Sequence, residues 1–211
     1  MKQPDHPFKI GFLLSGSGST LENLLSHIQY RYINATVSVV VSSRDNVYGL
    51  KRAKSWNIPH HVVPYKNYKS DLQTYSDKIT EILNSHNVDL VVFGGFMSRY
   101  LIPNQYLNKV INVHPALIPA FSGHGYYGEK VHKAVIDFGA KVTGCTVHFV
   151  DNEYDNGAII AQSVIDVHDF DTAETIQQRV QQLERQLYPK VINYFVENLI
   201  QINDRKVFIL K

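Results

Sequence analysis

The predicted fold follows from one stretch of sequence, Phe8-Lys9-Ile10-Gly11-Phe12-Leu13-Leu14-Ser15-Gly16-Ser17-Gly18-Ser19-Thr20. Its opening residues are mostly apolar, which predicts a short buried strand. Gly16 and Gly18 end that run in a turn, and apolar side chains then recur at helical spacing, at Leu21, Leu24, Leu25 and Ile28. A strand, a glycine-rich turn and a helix in this order are typical of the first unit of a doubly wound α/β sheet.

The alternation of strands and helices continues along the chain. Four more strands and two more helices are predicted, the strands at 35–41, 61–64, 90–93 and 110–113 and the helices at 48–56 and 71–83. Short connections between alternating strands and helices predict a parallel sheet with right-handed crossovers.

The second half of the chain has a different pattern. A long proline- and glycine-rich loop is followed by a predicted helix at 129–138 and by two strand-like runs at 142–150 and 158–167. The last helix is predicted to begin at a capping box, Asp171-Thr172-Ala173-Glu174, and to kink at Pro189. Its predicted buried stripe consists of Ile176, Val180, Leu183, Leu187, Val191 and Phe195. We therefore expect an α/β fold: a Rossmann-like, doubly wound, mostly parallel sheet with a C-terminal hairpin-like extension and a long final helix, in a single domain covering residues 1–211.

The composition is that of an ordinary soluble globular protein. Hydrophobic residues make up 44% and charged residues 19% of the 211 positions. The net charge of +2 is too near neutrality for a surface that coats nucleic acid. No apolar run approaches the ~20 residues of a membrane span, and residues 1–7 lack the apolar core of a secretory signal. We therefore expect a cytoplasmic protein with neither nucleic-acid nor membrane partners.

The glycine-rich turn is a candidate anion site. The backbone amides of Gly18, Ser19 and Thr20 begin the predicted helix, where free amides and the helix dipole favour a phosphate. The pattern Gly-x-Gly-x-Thr lacks the third glycine of dinucleotide-binding turns and the Gly-Lys-Ser/Thr ending of nucleoside-triphosphate loops. From the residues alone, a phosphate site and a tight turn without a ligand are both open.

Asn112 and His114 are candidate catalytic residues because they end a predicted strand. Residues two apart on a strand share one face, and ligands of open α/β sheets lie beyond the carboxyl ends of the strands. Histidine can act as an acid or base near neutral pH, and a side-chain amide can donate to a developing oxyanion. The alternative is that His114 only caps the strand or binds a loop carbonyl.

Asp155 lies between the two strand-like runs, in the sequence Asp155-Asn156-Gly157. These residue types favour a turn, so spacing alone indicates a turn residue, and Asp151 and Glu153 are equally good candidate acids.

Three other features indicate structural roles. Cys145 is expected to be a small core residue, and His148 a satisfied histidine within a strand. No metal site is predicted, because the His60-His61 pair lacks other ligands at suitable spacing and a single cysteine cannot build a cysteine-type zinc site.

One segment carries a family motif. Residues 111–119, Ile111-Asn112-Val113-His114-Pro115-Ala116-Leu117-Ile118-Pro119, contain the Asn-x-His-Pro-x-Leu-x-Pro motif of folate-dependent formyltransferases. Further matching stretches are 14–20, 95–97, 146–150, 155–160 and 184–189. Over nearly its whole length the chain resembles the phosphoribosylglycinamide formyltransferase family, whereas methionyl-tRNA formyltransferases and formyltetrahydrofolate hydrolases carry an additional domain.

The resemblance implies an enzyme of purine synthesis that uses 10-formyltetrahydrofolate as co-substrate, needs no metal, and formylates the amine of glycinamide ribonucleotide. It implies that Asn112, His114 and Asp155 are catalytic, which replaces the turn-only interpretation of Asp155. The substrate amine would attack the formyl carbon directly. Asn112 would donate to the oxyanion, and Asp155 would favour the charged form of His114.

The resemblance also implies binding residues. Gly18, Ser19 and Thr20 would hold the phosphate of the ribonucleotide, and Glu184 would reach the same substrate. The pterin of the folate would lie along Asn112 and a continuous segment, Met97, Ser98, Arg99, Tyr100 and Leu101. The chain departs from the commonest family pattern in its longer loop at 119–132 and in Thr20, where asparagine is frequent.

Other functions are weighed against this one. A formyltransferase for another amine, such as an amino sugar nucleotide, would share the catalytic residues but need a nucleotide-sized pocket. A non-catalytic nucleotide-binding module would lack a cleft beside them. A redox dinucleotide enzyme fits least, because the fingerprint glycine is missing. The sequence leaves a monomer and a homodimer both possible.

Overall fold

The computed structural model describes residues 7–210, and the chain divides into two compact units between Ile111 and Asn112. The first unit alternates strands and helices as the sequence predicts. Its elements are β1 (Phe8–Leu14), α1 (Ser19–Gln29), β2 (Ala35–Ser42), α2 (Tyr48–Ser55), β3 (His60–Val62), α3 (Leu72–Ser85) and β4 (Leu90–Phe93). β1 pairs in parallel with both β2 and β4, and β2 pairs in parallel with β3.

The second unit begins within β5 (Val110–His114), because the division falls in this strand. Its further elements are α4 (Glu129–Phe138), β6 (Val142–Phe149), β7 (Ile159–Asp166), α5 (Ala173–Val196), β8 (Ile200–Asn203) and β9 (Lys206–Ile209). β6 and β7 pair antiparallel, which confirms the predicted hairpin-like extension. The main sheet has the strand order β3-β2-β1-β4-β5-β6-β7, and its mostly parallel, Rossmann-like character is as predicted.

The start of α5 differs in detail from the prediction. The capping box is formed by Thr172 and Thr175, whose side chains each bond the other's backbone N–H, and not by Asp171 and Glu174. Asp171 instead accepts hydrogen bonds from Thr175 and Arg179. The predicted stripe is largely correct, although two of its members, Leu183 and Phe195, are only half-buried.

α5 has 24 residues and contains Pro189 in its interior. Proline removes one backbone hydrogen bond, yet the helix continues to Val196 because Tyr188, Pro189 and Val191 are buried against the rest of the unit. Within residues 7–210, no helix combines the length and the hydropathy that crossing a membrane requires.

The β8–β9 hairpin was not predicted by the sequence analysis. Ile200 and Ile202 alternate with polar residues in β8, and they pair with Ile209 and Val207 of β9. Asp204, in the connecting turn, has a positive φ of 54°. Alternating apolar residues on either side of an Asp-Arg turn were the available signal, in segments too short to be distinctive.

Candidate active site

The glycine-rich turn forms the entry to α1. Gly18 is the N-cap of this helix with φ 73°, a left-handed conformation that suits glycine, and no side chain caps the first turn. A Cβ on Gly18 would lie 2.7 Å from the Cα of Gly49, so a side chain at position 18 would collide with the backbone of α2. The amide of Gly49 also donates to the carbonyl of Gly16 at 3.1 Å. The backbone is therefore held with its first helical amides uncapped, as an anion site needs.

Arg52 of α2 stabilises the same turn through its side chain. Its Nε donates to the carbonyl of Ser17 at 3.1 Å, and its Nη1 lies 2.6 Å from Glu22 Oε2. Arg52 thus connects the turn to the first helical turn of α1. Its charge is already paired, so its contribution to the turn is positional.

The segment from Met97 to Leu101 follows β4 and divides into accessible and buried residues. Tyr100 is buried, and its hydroxyl lies 2.9 Å from Thr80 Oγ1, with burial raising the pKa of the phenol. The Leu101 amide donates to Ser76 Oγ at 3.0 Å. Arg99 is exposed. Met97 and Ser98 face a cavity of 410 Å³ whose other walls are Ser43, Arg44, Asp45, Pro64, Tyr65, Lys66 and Lys69. Met97 and Ser98 are therefore accessible from this cavity, as predicted folate-binding residues would be.

β5 presents Asn112 and His114 two residues apart, as its alternation predicts. His114 is 3% exposed, and its Nε2 lies 2.8 Å from the carbonyl oxygen of Phe121. This contact makes Nε2 a donor, because a carbonyl oxygen only accepts. The other ring nitrogen, Nδ1, lies 3.4 Å from Asp155 Oδ2.

The loop that carries Phe121 is anchored to the hairpin. Thr146 of β6 donates through Oγ1 to the carbonyl of Ala116 at 2.7 Å and accepts from the amide of Ile118 at 3.0 Å. Gln162 of β7 donates to the carbonyl of Ile118 at 3.0 Å and to Thr146 Oγ1 at 2.9 Å. These bonds fix the chain directly after His114.

Asp155 lies in the turn between β6 and β7 and also reaches His114. Its φ of 49° shows that it is a turn residue, as spacing indicated, and Gly157 packs so closely on the carbonyl of Phe149 that a Cβ there would collide. Asp155 Oδ2 accepts from the amide of Gly123 at 2.9 Å. The structure therefore brings the carboxylate beside both the imidazole and the loop.

His148 is a site residue that the sequence analysis did not identify. Its Nδ1 lies 2.8 Å from the carbonyl of Phe149, as a satisfied strand histidine would. However, its Nε2 lies 3.4 Å from Asn112 Nδ2 and 3.6 Å from Asp155 Oδ1. Burial lowers the pKa of His148, although the hydrogen bond to Phe149 and the charge of Asp155 act to raise it. The available signal was a polar residue at alternate positions of an apolar strand, Thr146 and His148.

Cys145 and Glu184 lie close enough to interact. Burial, and after it the charge of Glu184, raise the pKa of the Cys145 thiol to about 12. The thiol is therefore protonated at neutral pH and a poor nucleophile, in agreement with its predicted core position. Glu184 is half-buried on α5, and burial raises the pKa of its carboxyl to about 7, with Arg185 acting in the opposite direction.

His132 is a second buried histidine near His114. It lies on α4 with 1% of its surface exposed, and its Nδ1 has no hydrogen-bond partner among residues 7–210. Burial, and next the neighbouring His114, lower its pKa to about 4. His132 is therefore neutral at pH 7 and places no positive charge beside His114.

This burial predicts a loss of stability in weak acid. Unfolded His132 binds a proton near pH 6.5 and folded His132 only near pH 4, so the unfolded chain takes up more protons between these values. The contribution of His132 to the free energy of unfolding is complete above pH 6.5 and falls by roughly 3 kcal/mol as the pH drops towards 4. Melting temperatures of wild type and His132→Phe at pH 8 and pH 5 measure the effect.

The His132→Phe variant is needed because Glu184 has the opposite effect on the pH dependence of stability. A carboxyl with a raised pKa binds its proton more readily when folded, so its contribution grows as the pH falls below 7. We expect His132→Phe to lose less stability than wild type between pH 8 and pH 5. The exposed His168→Gln control should behave as wild type. An equal pH dependence in wild type and His132→Phe would show that His132 is not the cause.

Over residues 7–210, no group of three or more histidine, cysteine, aspartate or glutamate side chains is arranged to hold a metal ion.

Comparison with known proteins extends across both units. The profile of the formyl transferase family matches residues 8–192. Phosphoribosylglycinamide formyltransferase of Haemophilus influenzae is 34% identical over 204 residues, which cover 95% of this chain and 93% of the relative. Trifunctional purine biosynthetic protein adenosine-3 of Gallus gallus is 34% identical over 93% of this chain, which spans only 19% of that protein's length. Glycinamide ribonucleotide transformylase 1 from Symbiobacterium toebii has a similar crystal structure, with a TM-score of 0.88, 35% identity and coverage of 99% of this chain and 96% of its own.

Proposed function

Because the chain belongs to the formyl transferase family, we propose that it transfers the formyl group of 10-formyltetrahydrofolate to the amine of 5′-phosphoribosylglycinamide, a step of de novo purine biosynthesis. The observation that carries this proposal is the cluster of Asn112, His114 and Asp155. A carboxamide, an imidazole and a carboxylate together can stabilise the negative oxygen of an acyl transfer.

The reaction needs no protein nucleophile. The amine of the ribonucleotide forms a bond to the formyl carbon, and the bond from that carbon to N10 of the folate breaks. One proton leaves the amine and one is taken up by N10. Between these events the formyl oxygen carries a negative charge, and Asn112 donates an N–H to it. This scheme agrees with the buried, protonated thiol of Cys145.

His114 contributes positive charge in this scheme. When both ring nitrogens carry hydrogen, Nε2 donates to the Phe121 carbonyl at 2.8 Å and Nδ1 faces Asp155 Oδ2 at 3.4 Å. Both donors of the imidazolium then have acceptors. A fixed cation in a buried site stabilises a nearby oxyanion more strongly than it would in water.

The two substrates are assigned to other residues. Gly18, Ser19 and Thr20 bind the phosphate of the ribonucleotide through their amides, which the uncapped N-terminus of α1 supports. Glu184 accepts hydrogen bonds from hydroxyl groups of the same substrate. The folate contacts Asn112 and the segment Met97, Ser98, Arg99, Tyr100 and Leu101. Within this segment, Tyr100 stiffens the backbone through its bond to Thr80.

Removing Arg52 should weaken binding of the ribonucleotide without slowing the chemical step. Arg52→Ala deletes the bond to the Ser17 carbonyl and the pairing with Glu22, so the turn loses its lateral support. We expect KM for glycinamide ribonucleotide to rise by about 3- to 10-fold, with kcat and the folate KM unchanged. Steady-state kinetics measure all three constants. A change in the folate KM alone would contradict the assignment of this turn.

The proposed activity is tested by direct assay. The purified protein is mixed with glycinamide ribonucleotide and 10-formyltetrahydrofolate, and release of tetrahydrofolate is followed. Wild type should release it at a rate that depends on both substrates, and His114→Ala should not. An amino sugar nucleotide in place of glycinamide ribonucleotide should give no release. Release by wild type no faster than by His114→Ala would reject the proposal.

The chain acts as one formyltransferase domain over residues 1–211, since the family profile spans the division between the two units. It works in the cytoplasm, as a monomer or homodimer, with small-molecule substrates and no metal, nucleic acid or membrane partner. Size-exclusion chromatography with light scattering distinguishes the two oligomeric states.

A further inference from the structure

His148 contacts two of the three proposed catalytic residues, yet no step above uses it. It is 2% exposed in β6. Its Nε2 lies 3.4 Å from Asn112 Nδ2 and 3.6 Å from Asp155 Oδ1, and its Nδ1 lies 2.8 Å from the carbonyl of Phe149. A buried imidazole in contact with these groups must have one definite arrangement of protons.

The Phe149 carbonyl determines that arrangement. Carbonyl oxygen only accepts, so the 2.8 Å contact requires a hydrogen on Nδ1. The ring carries only this proton when it is neutral, and burial favours the neutral ring. Nε2 is then a hydrogen-bond acceptor. The side chain of Asn112 offers it a donor, whereas the carboxylate of Asp155 has none.

This acceptor decides which way the Asn112 carboxamide faces. A carboxamide has two similar orientations, related by a half-turn, that exchange its NH₂ and its oxygen. With Nε2 of His148 as acceptor, the NH₂ group is held on the side of the histidine. One N–H is used in this bond and the second is left for another acceptor. In the opposite orientation, the amide oxygen would face the lone pair of Nε2.

We propose that His148 is a positioning residue that fixes the Asn112 carboxamide by accepting one N–H at Nε2, so that the other N–H is available to the oxygen of the reacting formyl group. This inference rests on the proposed function. It assigns His148 no contact with substrate, and its effect on catalysis passes through Asn112. The charged and titratable groups that face His148 are Asp155, His114 and Asp151.

Two amide substitutions separate the two contacts of His148. In His148→Gln, the longer side chain can place an amide oxygen near the position of Nε2 and accept from Asn112. In His148→Asn, the shorter side chain can place its NH₂ near the position of Nδ1 and keep the bond to Phe149, but it does not reach Asn112. Neither amide titrates. Comparing the two variants thus tests the presence and the absence of an acceptor for the Asn112 N–H in proteins of similar polarity.

The experiment is a kinetic double-mutant cycle that combines His148→Asn with Asn112→Ala. In the wild-type background, His148→Asn should lower kcat by about 10-fold with both KM values nearly unchanged, because an acceptor that aligns a transition-state donor is lost. His148→Gln should retain kcat within about threefold. In the Asn112→Ala background, His148→Asn should have little further effect, since the group it positions is already absent.

The outcomes separate this inference from the proposed function. Absence of formyl transfer by wild type would reject the function itself. An active wild type, with His148→Asn lowering kcat by the same factor in both backgrounds, would overturn the positioning role. Equal losses in His148→Gln and His148→Asn would overturn it as well. Thermal melts establish that each variant is folded, and His148→Phe, which also lacks an acceptor, replaces His148→Asn in the cycle if that variant does not fold.

Discussion

Asn112→Ala is expected to bind both substrates as wild type does and to turn them over about 10²–10³ times more slowly. The reason is that, in the proposed mechanism, the carboxamide donates to a charge that exists in the transition state and not in the bound formyl group. Loss of such a donor lowers kcat and leaves KM nearly unchanged. Single-turnover and steady-state kinetics with glycinamide ribonucleotide and 10-formyltetrahydrofolate measure the two effects separately.

A matched asparagine provides the control for this result. Asn193, on α5, donates to Glu197 at 2.9 Å and lies outside the site, so Asn193→Ala should have wild-type kinetics. If Asn112→Ala turned over as fast as Asn193→Ala, Asn112 would not be the oxyanion donor. If its main effect were on the KM for the folate, the contact of Asn112 with the folate would matter more than donation to the oxyanion.

Asp155→Asn is expected to lower kcat by about 10²-fold while the fold is preserved. Asparagine tolerates the positive φ of this position, and its amide oxygen can still accept from the Gly123 amide. What is lost is the negative charge that lies 3.4 Å from His114 Nδ1. A buried positive charge without its counter-ion is disfavoured, so the role proposed for His114 loses its support.

Glu153→Gln is the matched control, because Glu153 is an exposed acid in the same connection. It should have wild-type kinetics across the pH range, whereas Asp155→Asn should be slow throughout. Melting temperatures should differ little between the two variants. A full rate in Asp155→Asn would show that His114 acts without the carboxylate. A large loss of stability would show that Asp155 acts mainly as a turn residue.

Much of the fold follows from local pattern. The opening run of β1, the four residues of β4 and the ten of α4 have the predicted bounds, because uninterrupted apolar runs and capped amphipathic segments are strong signals. β3 is displaced by a residue or two from its prediction, since it is a three-residue edge strand with all its residues exposed. The β8–β9 hairpin is too short for alternation alone to identify it.

The site was predictable to different degrees. Asn112 and His114 follow from a strand end and a period of two, which are local properties. Asp155 does not, because Asp-Asn-Gly specifies a turn whether or not its carboxylate reaches a histidine, and only the resemblance to the family implied a catalytic role for it. His132 and His148 were missed for a related reason. Their surroundings come from distant parts of the chain, and a buried histidine has no sequence pattern that reports its partners.

The hydrogen bond between the Gly123 amide and Asp155 divides the long β5–α4 connection into a constrained first part and an exposed second part. Nine residues, 115–123, follow His114 up to this hydrogen bond. Hydrogen bonds with Thr146 and Gln162 hold the middle of this segment in place. Beyond Gly123 the chain is exposed until α4 begins. An engineer who lengthens or shortens this connection thus has freedom after Gly123, where a tag or a fluorophore could be grafted. Any change before it would shift the amide, and with it the acid that the proposed mechanism requires.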